Sequence, residues 1–227
     1  MTAPASSPTP AGTPRTLLIT AGPTHEPIDA VRFIGNRSSG RLGIALADEA
    51  ARRGWRVTLL LGPVASTPSD PQVRLRRFRT ASELQTLLRE EVPACSVLVM
   101  AAAVADYRPI PHPGMSGGKF RRTSEKLVLE LEPTPDLLAE VGRTRRPDQL
   151  LVGFALEPRA EMIDSGKAKI ARKKIDLCVT NPLETMDSPD IEAVVLDAAG
   201  NQTPTPGKMS KEAFAAWLMG VLESRGE

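Results

Sequence analysis

The chain has 227 residues, 41% hydrophobic and 25% charged, with a formal net charge of +2. That length supports one α/β domain with a real core, and a balance so near neutral excludes a general nucleic-acid coat, leaving anion binding to local clusters. Aromatics at 4% disfavour recognition by base stacking, and no apolar run approaches the roughly 20 residues of a membrane span.

Residues 1–15 are dominated by Pro, Ser, Thr and Ala and are expected to be a disordered tail ahead of one domain over 16–227. Thr16–Thr20 reads as a buried strand that empties into a turn at Gly22-Pro23. A loop carrying Glu26, Asp29, Arg32 and Asn36 follows. Ser38-Ser39-Gly40 opens an amphipathic helix at about 39–53, with Leu42, Ala45, Leu46 and Ala50 on one face and Gly54 at its C′ position. Arg56–Leu61 is a second buried strand and Val73–Phe78 a third. Thr80 and Glu83 form a capping box that starts the next helix.

Strand four, Ser96–Ala102, opens into 103–109. The stretch over 110–124 contains Gly and Pro, ends in basic residues and reads as mobile. A short alternating strand is expected over Lys126–Leu131, then a helix from Thr134-Pro135-Asp136 to about Arg143. Strand five is Leu150–Phe154, a helix covers about 160–174, and strand six is Asp176–Thr180. Segments near 191–197 and 202–204 are expected to form a hairpin, and the last helix runs from Ser210 to about Ser224. This alternation predicts an α/β fold: a Rossmann-like, doubly wound, mostly parallel sheet in three layers with an extra small β-hairpin. Ligands of such sheets sit beyond the carboxyl ends of the strands. Four motifs fall there, at 21–40, 102–109, 134–138 and Asn181.

Each motif has a plain reading as well as a chemical one. A strand, a Gly-bearing loop and a helix N-terminus can hold a phosphate. Capping would explain Ser38 and Ser39, but it does not explain Arg32 and Asn36. Small residues over 101–105 let a flat group approach the backbone, and Asp106 could meet a ribose hydroxyl, a base amine or a metal, or simply be solvated. Lys119-Phe120-Arg121-Arg122 could close over a triphosphate, although most such runs are solvated faces. Lys169 and Lys173 share a helix face at i, i+4 and could grip phosphates or water. Cys95 and Cys178 read as buried thiols in a reducing cytosol, because with only His25 and His112 elsewhere they make no zinc site. No signal pattern is present, so a cytoplasmic protein with no membrane or nucleic-acid partner is expected. The P-loop, G-x-G-x-x-G and G-x-S-x-G motifs are all missing, as is a lysine four residues after Tyr107.

The segments ITAGPTHEPIDAVRFIGNRSSGRLG, AAAVADYRP, PTPDLL, LVGFALE and KIARKKIDLCVTN occur in that order. Over about residues 16–225 the chain resembles phosphopantothenate–cysteine ligase, the phosphopantothenoylcysteine synthetase of bacterial coenzyme A synthesis. The resemblance implies that CTP activates the carboxylate of 4′-phosphopantothenate as an acyl-cytidylate, releasing pyrophosphate. The amine of L-cysteine then displaces CMP. ATP is the alternative nucleotide. Magnesium is implied with the triphosphate, with no metal ligand named.

In the family this domain often follows a flavin-dependent decarboxylase. Only 15 residues precede the first strand here, so a stand-alone ligase without FMN is expected, with a separate decarboxylase as a candidate partner. A homodimer paired through extra strands is implied, with loops of both subunits near the site. By motif, the resemblance implies catalytic roles for Asn36, which binds and positions the acyl intermediate, and Lys119, the lid lysine, which stabilises the reacting α-phosphate. Arg32, Asn36, Ser38, Ser39 and Gly40 hold phosphopantothenate. Gly22, Met100, Ala101, Ala102, Asp106, Lys119, Pro135, Asp136, Leu137, Leu138, Phe154, Lys169 and Lys173 surround the nucleotide.

Three departures stand out: arginines in the lid, a short segment after Asn181, and Gly35 in place of a larger residue, which is expected to loosen its loop. Two other readings stay open. A non-catalytic nucleotide-binding module would bind CTP without releasing pyrophosphate. A dinucleotide reductase is the more distant reading.

Overall fold

The computed structural model describes residues 15–110, 118, 119, 124, 126–186 and 188–225. The expected tail, apart from Arg15, lies outside them, as do Phe120, Arg121 and Arg122 of the basic run.

In chain order the first half contains β1 (Thr16–Ala21), β2 (His25–Pro27), β3 (Phe33–Gly35), α1 (Arg41–Arg52), β4 (Arg56–Leu61), β5 (Arg74–Arg77), α2 (Ala81–Glu91) and β6 (Val97–Met100). Then come β7 (Tyr107–Pro109), β8 (Leu131–Pro133), α3 (Leu137–Thr144), β9 (Leu150–Glu157), α4 (Met162–Lys173) and β10 (Leu177–Pro182). The chain closes with β11 (Asp190–Ile191), β12 (Val194–Asp197), β13 (Gln202–Pro204), β14 (Met209–Ser210) and α5 (Lys211–Glu223). The central sheet runs β13-β12-β10-β9-β6-β1-β4-β5. It is parallel from β10 to β5, and antiparallel where β12 and β13 join.

β1 shows why three layers form. Leu17, Ile19 and Ala21 face one cluster with α1 and α5, while Leu18 faces the other, with α2, α3 and α4. Side chains alternate across a strand, so an apolar strand can feed two cores only if helices cover both faces. The helix starts follow the sequence. Thr80, Asp136 and Ser210 each accept a first-turn amide, from Glu83, Ala139 and Ala213.

The stretch after β1 is a hairpin rather than a loop. β2 and β3 pair antiparallel, and the His25 and Phe33 rings stack at 3.6 Å. The Asp29 carboxylate closes its turn by accepting the amides of Val31 (2.9 Å) and Arg32 (2.7 Å). Three-residue strands containing a proline give no alternation to read. Gly35 does not loosen this segment. A Cβ there would come within 2.5 Å of the Thr24 carbonyl oxygen, so glycine lets the two strands approach closely.

The strand expected at Lys126–Leu131 is displaced to Leu131–Pro133, which pairs with Tyr107–Pro109. Val128 is 78% exposed, so its alternation reports no buried face. The segment near 191–197 divides: Asp190–Ile191 pairs with Met209–Ser210, and Val194–Asp197 joins the central sheet. The β12–β13 hairpin is built around Asp197, whose carboxylate accepts the amides of Ala199 and Asn201 and the side chains of Asn201 and Arg225. These hydrogen bonds lower its pKa to about 2.

At Gly43 a Cβ would collide with the Cβ of Ala21, whereas Gly220 has nothing within 4 Å. Gly43→Ala should cost about 1–3 kcal/mol in urea unfolding, and Gly220→Ala should gain up to about 1 kcal/mol by helix propensity. Asp197 has a depressed folded pKa, so its contribution is complete above the unfolded value of about 4. It is lost as pH falls toward 2. Asp197→Asn should flatten the fall in stability across that window.

Candidate active site

The loops after β1 and β6 are joined into one wall. Gly22, at φ 80°, accepts the Ala103 amide at 2.9 Å, and Ala103 accepts the Thr24 amide at 3.2 Å. Two fully buried threonines complete the seam. Thr20 accepts the Ala102 amide (3.2 Å) and Thr24 the Ala105 amide (3.0 Å). Asn36 Nδ2 donates to the Val104 carbonyl at 2.9 Å. The asparagine is thereby held at the edge of the small-residue strand end.

α1 begins beside this wall. Its N-cap is Gly40 in the left-handed region at φ 71°, with no side-chain cap and no acid in the first turn. The expected helix start at residue 39 therefore moves to Arg41. Among the described residues Ser38 Oγ accepts only the Gly40 amide, at 3.4 Å, and no side chain caps α1. An uncapped helix start turns amide hydrogens and the positive end of the dipole outward.

A cleft of about 560 Å³ opens between these parts. Asn36, Ser38, Ser39, Gly40, Ala101, Ala102, Asp106, Phe154 and Lys169 line it, as the sequence led us to expect. Asn181, at the end of β10, also lines it, and so do Arg37, Arg41 and Lys211, which the motifs do not single out. Arg37 and Arg41 flank Ser-Ser-Gly, a signal that was available. Lys211 starts the last helix, and only topology brings it here. Among the described residues, the charged side chains of the lining are Arg37, Arg41, Lys169, Lys211 and Asp106. Lys169 Nζ donates to the Phe154 carbonyl at 2.6 Å. Burial holds its ammonium below the ordinary lysine value, and the nearby Lys173 and Arg172 act in the same direction. Burial also pushes the Cys178 thiol up to about 11, keeping it protonated.

The other expected residues stand outside the cleft lining. Met100, Leu137 and Leu138 are buried in the core. Gly22 acts in the wall, through its carbonyl. Pro135 precedes the α3 cap, Asp136, whose carboxylate is taken up by Lys173 Nζ at 2.9 Å. Burial works to raise the Asp136 pKa, but the hydrogen bonds from Lys173 and the Ala139 amide outweigh it and leave it lowered. Arg32 is ion-paired to Asp29 in the hairpin turn. Lys119 is exposed and follows Gly118, whose carbonyl accepts the Ala30 amide. Both therefore sit at the hairpin tip. Among the described residues no three His, Cys, Asp or Glu side chains cluster as a metal site, and no helix is long and apolar enough to cross a membrane.

The family model for the DNA/pantothenate metabolism flavoprotein C-terminal domain matches residues 13–224. A relative named cysteine/cysteine sulfinic acid decarboxylase, from an unknown prokaryotic organism, is 46% identical over 75% of this chain and 46% of its own length. The coenzyme A biosynthesis bifunctional protein CoaBC of Mycobacterium bovis is 42% identical over 74% of this chain and 41% of its own. The chain thus spans less than half the length of these relatives. Among solved structures, the C-terminal domain of CoaBC superposes with a TM-score of 0.77 at 29% identity, covering 93% of this chain and 95% of that one. A Cab2 complex with phosphopantothenate-cysteine shares the fold, with a TM-score of 0.77 at 19% identity over 93% and 86%. The chain belongs to the DNA/pantothenate metabolism flavoprotein C-terminal domain family.

Proposed function

We propose that the chain is a phosphopantothenate–cysteine ligase that uses CTP. The observation that carries this reading is the uncapped, acid-free start of α1, which opens into a cleft with four cations and a tethered asparagine. Joining a carboxylate to an amine requires a good leaving group, and making one brings two anionic substrates together. Dense positive charge and amide donors offset that repulsion.

The phosphopantothenate and triphosphate groups lie between the α1 start, Arg37, Arg41 and Lys169. Asn36 holds the activated acyl group for the amine of cysteine, and the small residues at Ala101–Ala102 admit the nucleotide. Magnesium fits this donor set: it takes one or two carboxylates with phosphate oxygens, and Asp106 is the cleft carboxylate. When bound it neutralises triphosphate charge.

The working form is a homodimer. Arg32 and Lys119 stand at the hairpin tip, outside the cleft of their own subunit. On the β2–β3 and β7–β8 hairpins Val31, Phe33, Tyr107 and Leu131 are all more than 40% exposed, apolar surface of the kind that marks interfaces. A second copy covering it would bring Arg32 and Lys119 to the partner's cleft.

With CTP, magnesium and phosphopantothenate, the protein should release pyrophosphate, and adding cysteine should yield CMP and phosphopantothenoylcysteine. Absence of pyrophosphate with either CTP or ATP would sink the ligase reading in favour of a passive nucleotide binder. Asn36→Asp should lower cysteine-dependent product at least a hundredfold, by losing a positioned donor. Arg32→Ala and Asn36→Asp, each inactive alone, should regain about a quarter of wild-type sites when unfolded and refolded together, as random pairing of subunits in a two-fold dimer requires. No recovery in the mixture would place Arg32 in its own subunit's site.

A further inference from the structure

A second groove, of about 490 Å³, lies between α2 and α3, apart from the cleft, and shares only Leu137 with the residues implied for the nucleotide. Its floor is apolar, formed by Leu88, Val92, Leu137 and Val141. Two features keep it open. On its far side α3 is pressed against α4, because Gly142 meets the Lys173 carbonyl so closely that even a Cβ would collide. On its near side α3 is bridged to α2 by polar groups rather than packed against it. Gln85 Nε2 donates to Glu140 Oε2 at 2.7 Å, and Arg89 lies 3.8 Å from the same oxygen. The groove is open to solvent on one side and its volume falls within the size range of small-molecule sites.

The charge of the rim indicates the ligand. Arg89, Arg143 and Arg146 face one lining carboxylate, Glu140. Arg146 is committed to Asp148 and to the Pro93 and Cys95 carbonyls. Arg143 makes no hydrogen bond or ion pair among the described residues. We propose that this groove binds a small amphipathic carboxylate, its apolar chain on Leu88, Val92 and Val141 and its headgroup on Arg143. Leu137 is part of the floor and directly follows Asp136, the partner of Lys173. A ligand here therefore acts on the α3 start, which the family resemblance implies for the nucleotide although it stands outside the cleft lining, and this regulatory half of the proposal rests on the ligase reading.

Isothermal titration calorimetry with decanoate tests the site without any catalysis. Saturable binding to the wild type, weakened at least tenfold by both Arg143→Glu and Thr144→Trp, is expected. Both positions are exposed, and an unchanged melting temperature without decanoate would show that the fold is intact. No saturable binding, or binding that survives both variants, overturns the site. Decanoate should also shift the KM for CTP at least threefold in the wild type and not in Arg143→Glu. Binding with an unmoved KM overturns the regulatory half. Failure of the ligase reading would appear separately, as no pyrophosphate in the absence of decanoate.

Discussion

The seam between the loops after β1 and β6 is the constraint on which the site depends. Parallel strands end in loops with unpaired backbone groups, and buried groups of that kind are costly unless satisfied. Here Thr20 and Thr24 satisfy them from within the wall, and Gly22 and Ala103 complete it. The ends of two neighbouring strands become one rigid surface. Asn36, tied to Val104, inherits that rigidity although it lies 14 residues beyond Gly22 in sequence. A binding group on a loop gains precision when its loop is fixed to scaffold in this way.

The second determinant is the placement of glycine. Gly40 takes the left-handed turn that starts α1 without a side-chain cap, and Gly43 lets the first turn rest on Ala21. Together they bring helix amides to the edge of the sheet. The cations arrive from three different helices: Arg41 from α1, Lys169 from α4 and Lys211 from α5, with Arg37 on the loop before α1. Burial disfavours the Lys169 ammonium, and the like charges of Lys173 and Arg172 add to that. The fold accepts that cost at the cleft and compensates with two apolar cores.

The sheet was legible because buried parallel strands are continuous apolar runs, as in β1, β4 and β6. Caps at Thr80, Asp136 and Ser210 marked helix starts by local chemistry alone. The small hairpins were not legible. β2 with β3, β7 with β8, and β11 with β14 are two or three residues long, and their pairing is set by the surrounding fold rather than by a period in the chain. The same split applies to the site. Asn36, Asp106 and Lys169 stand in motifs with chemical content. Lys211 carries no local signal, and reaches the cleft only because β10, β11 and α5 are folded next to one another. Arg32 and Lys119 were legible as reactive types, but their place at the hairpin tip was not.

The excess of cations over carboxylates in the cleft also governs kinetics of encounter. Field lines concentrate in a concave surface of one sign and raise the local concentration of multivalent anions before any contact forms. A chain with a net charge of only +2 thereby presents to any anion at the cleft the field of a more basic protein, over the first ten ångströms or so. The same field slows the departure of every polyanion. If the chain is the proposed ligase, added salt slows capture, hastens release, and makes turnover rise and then fall with ionic strength.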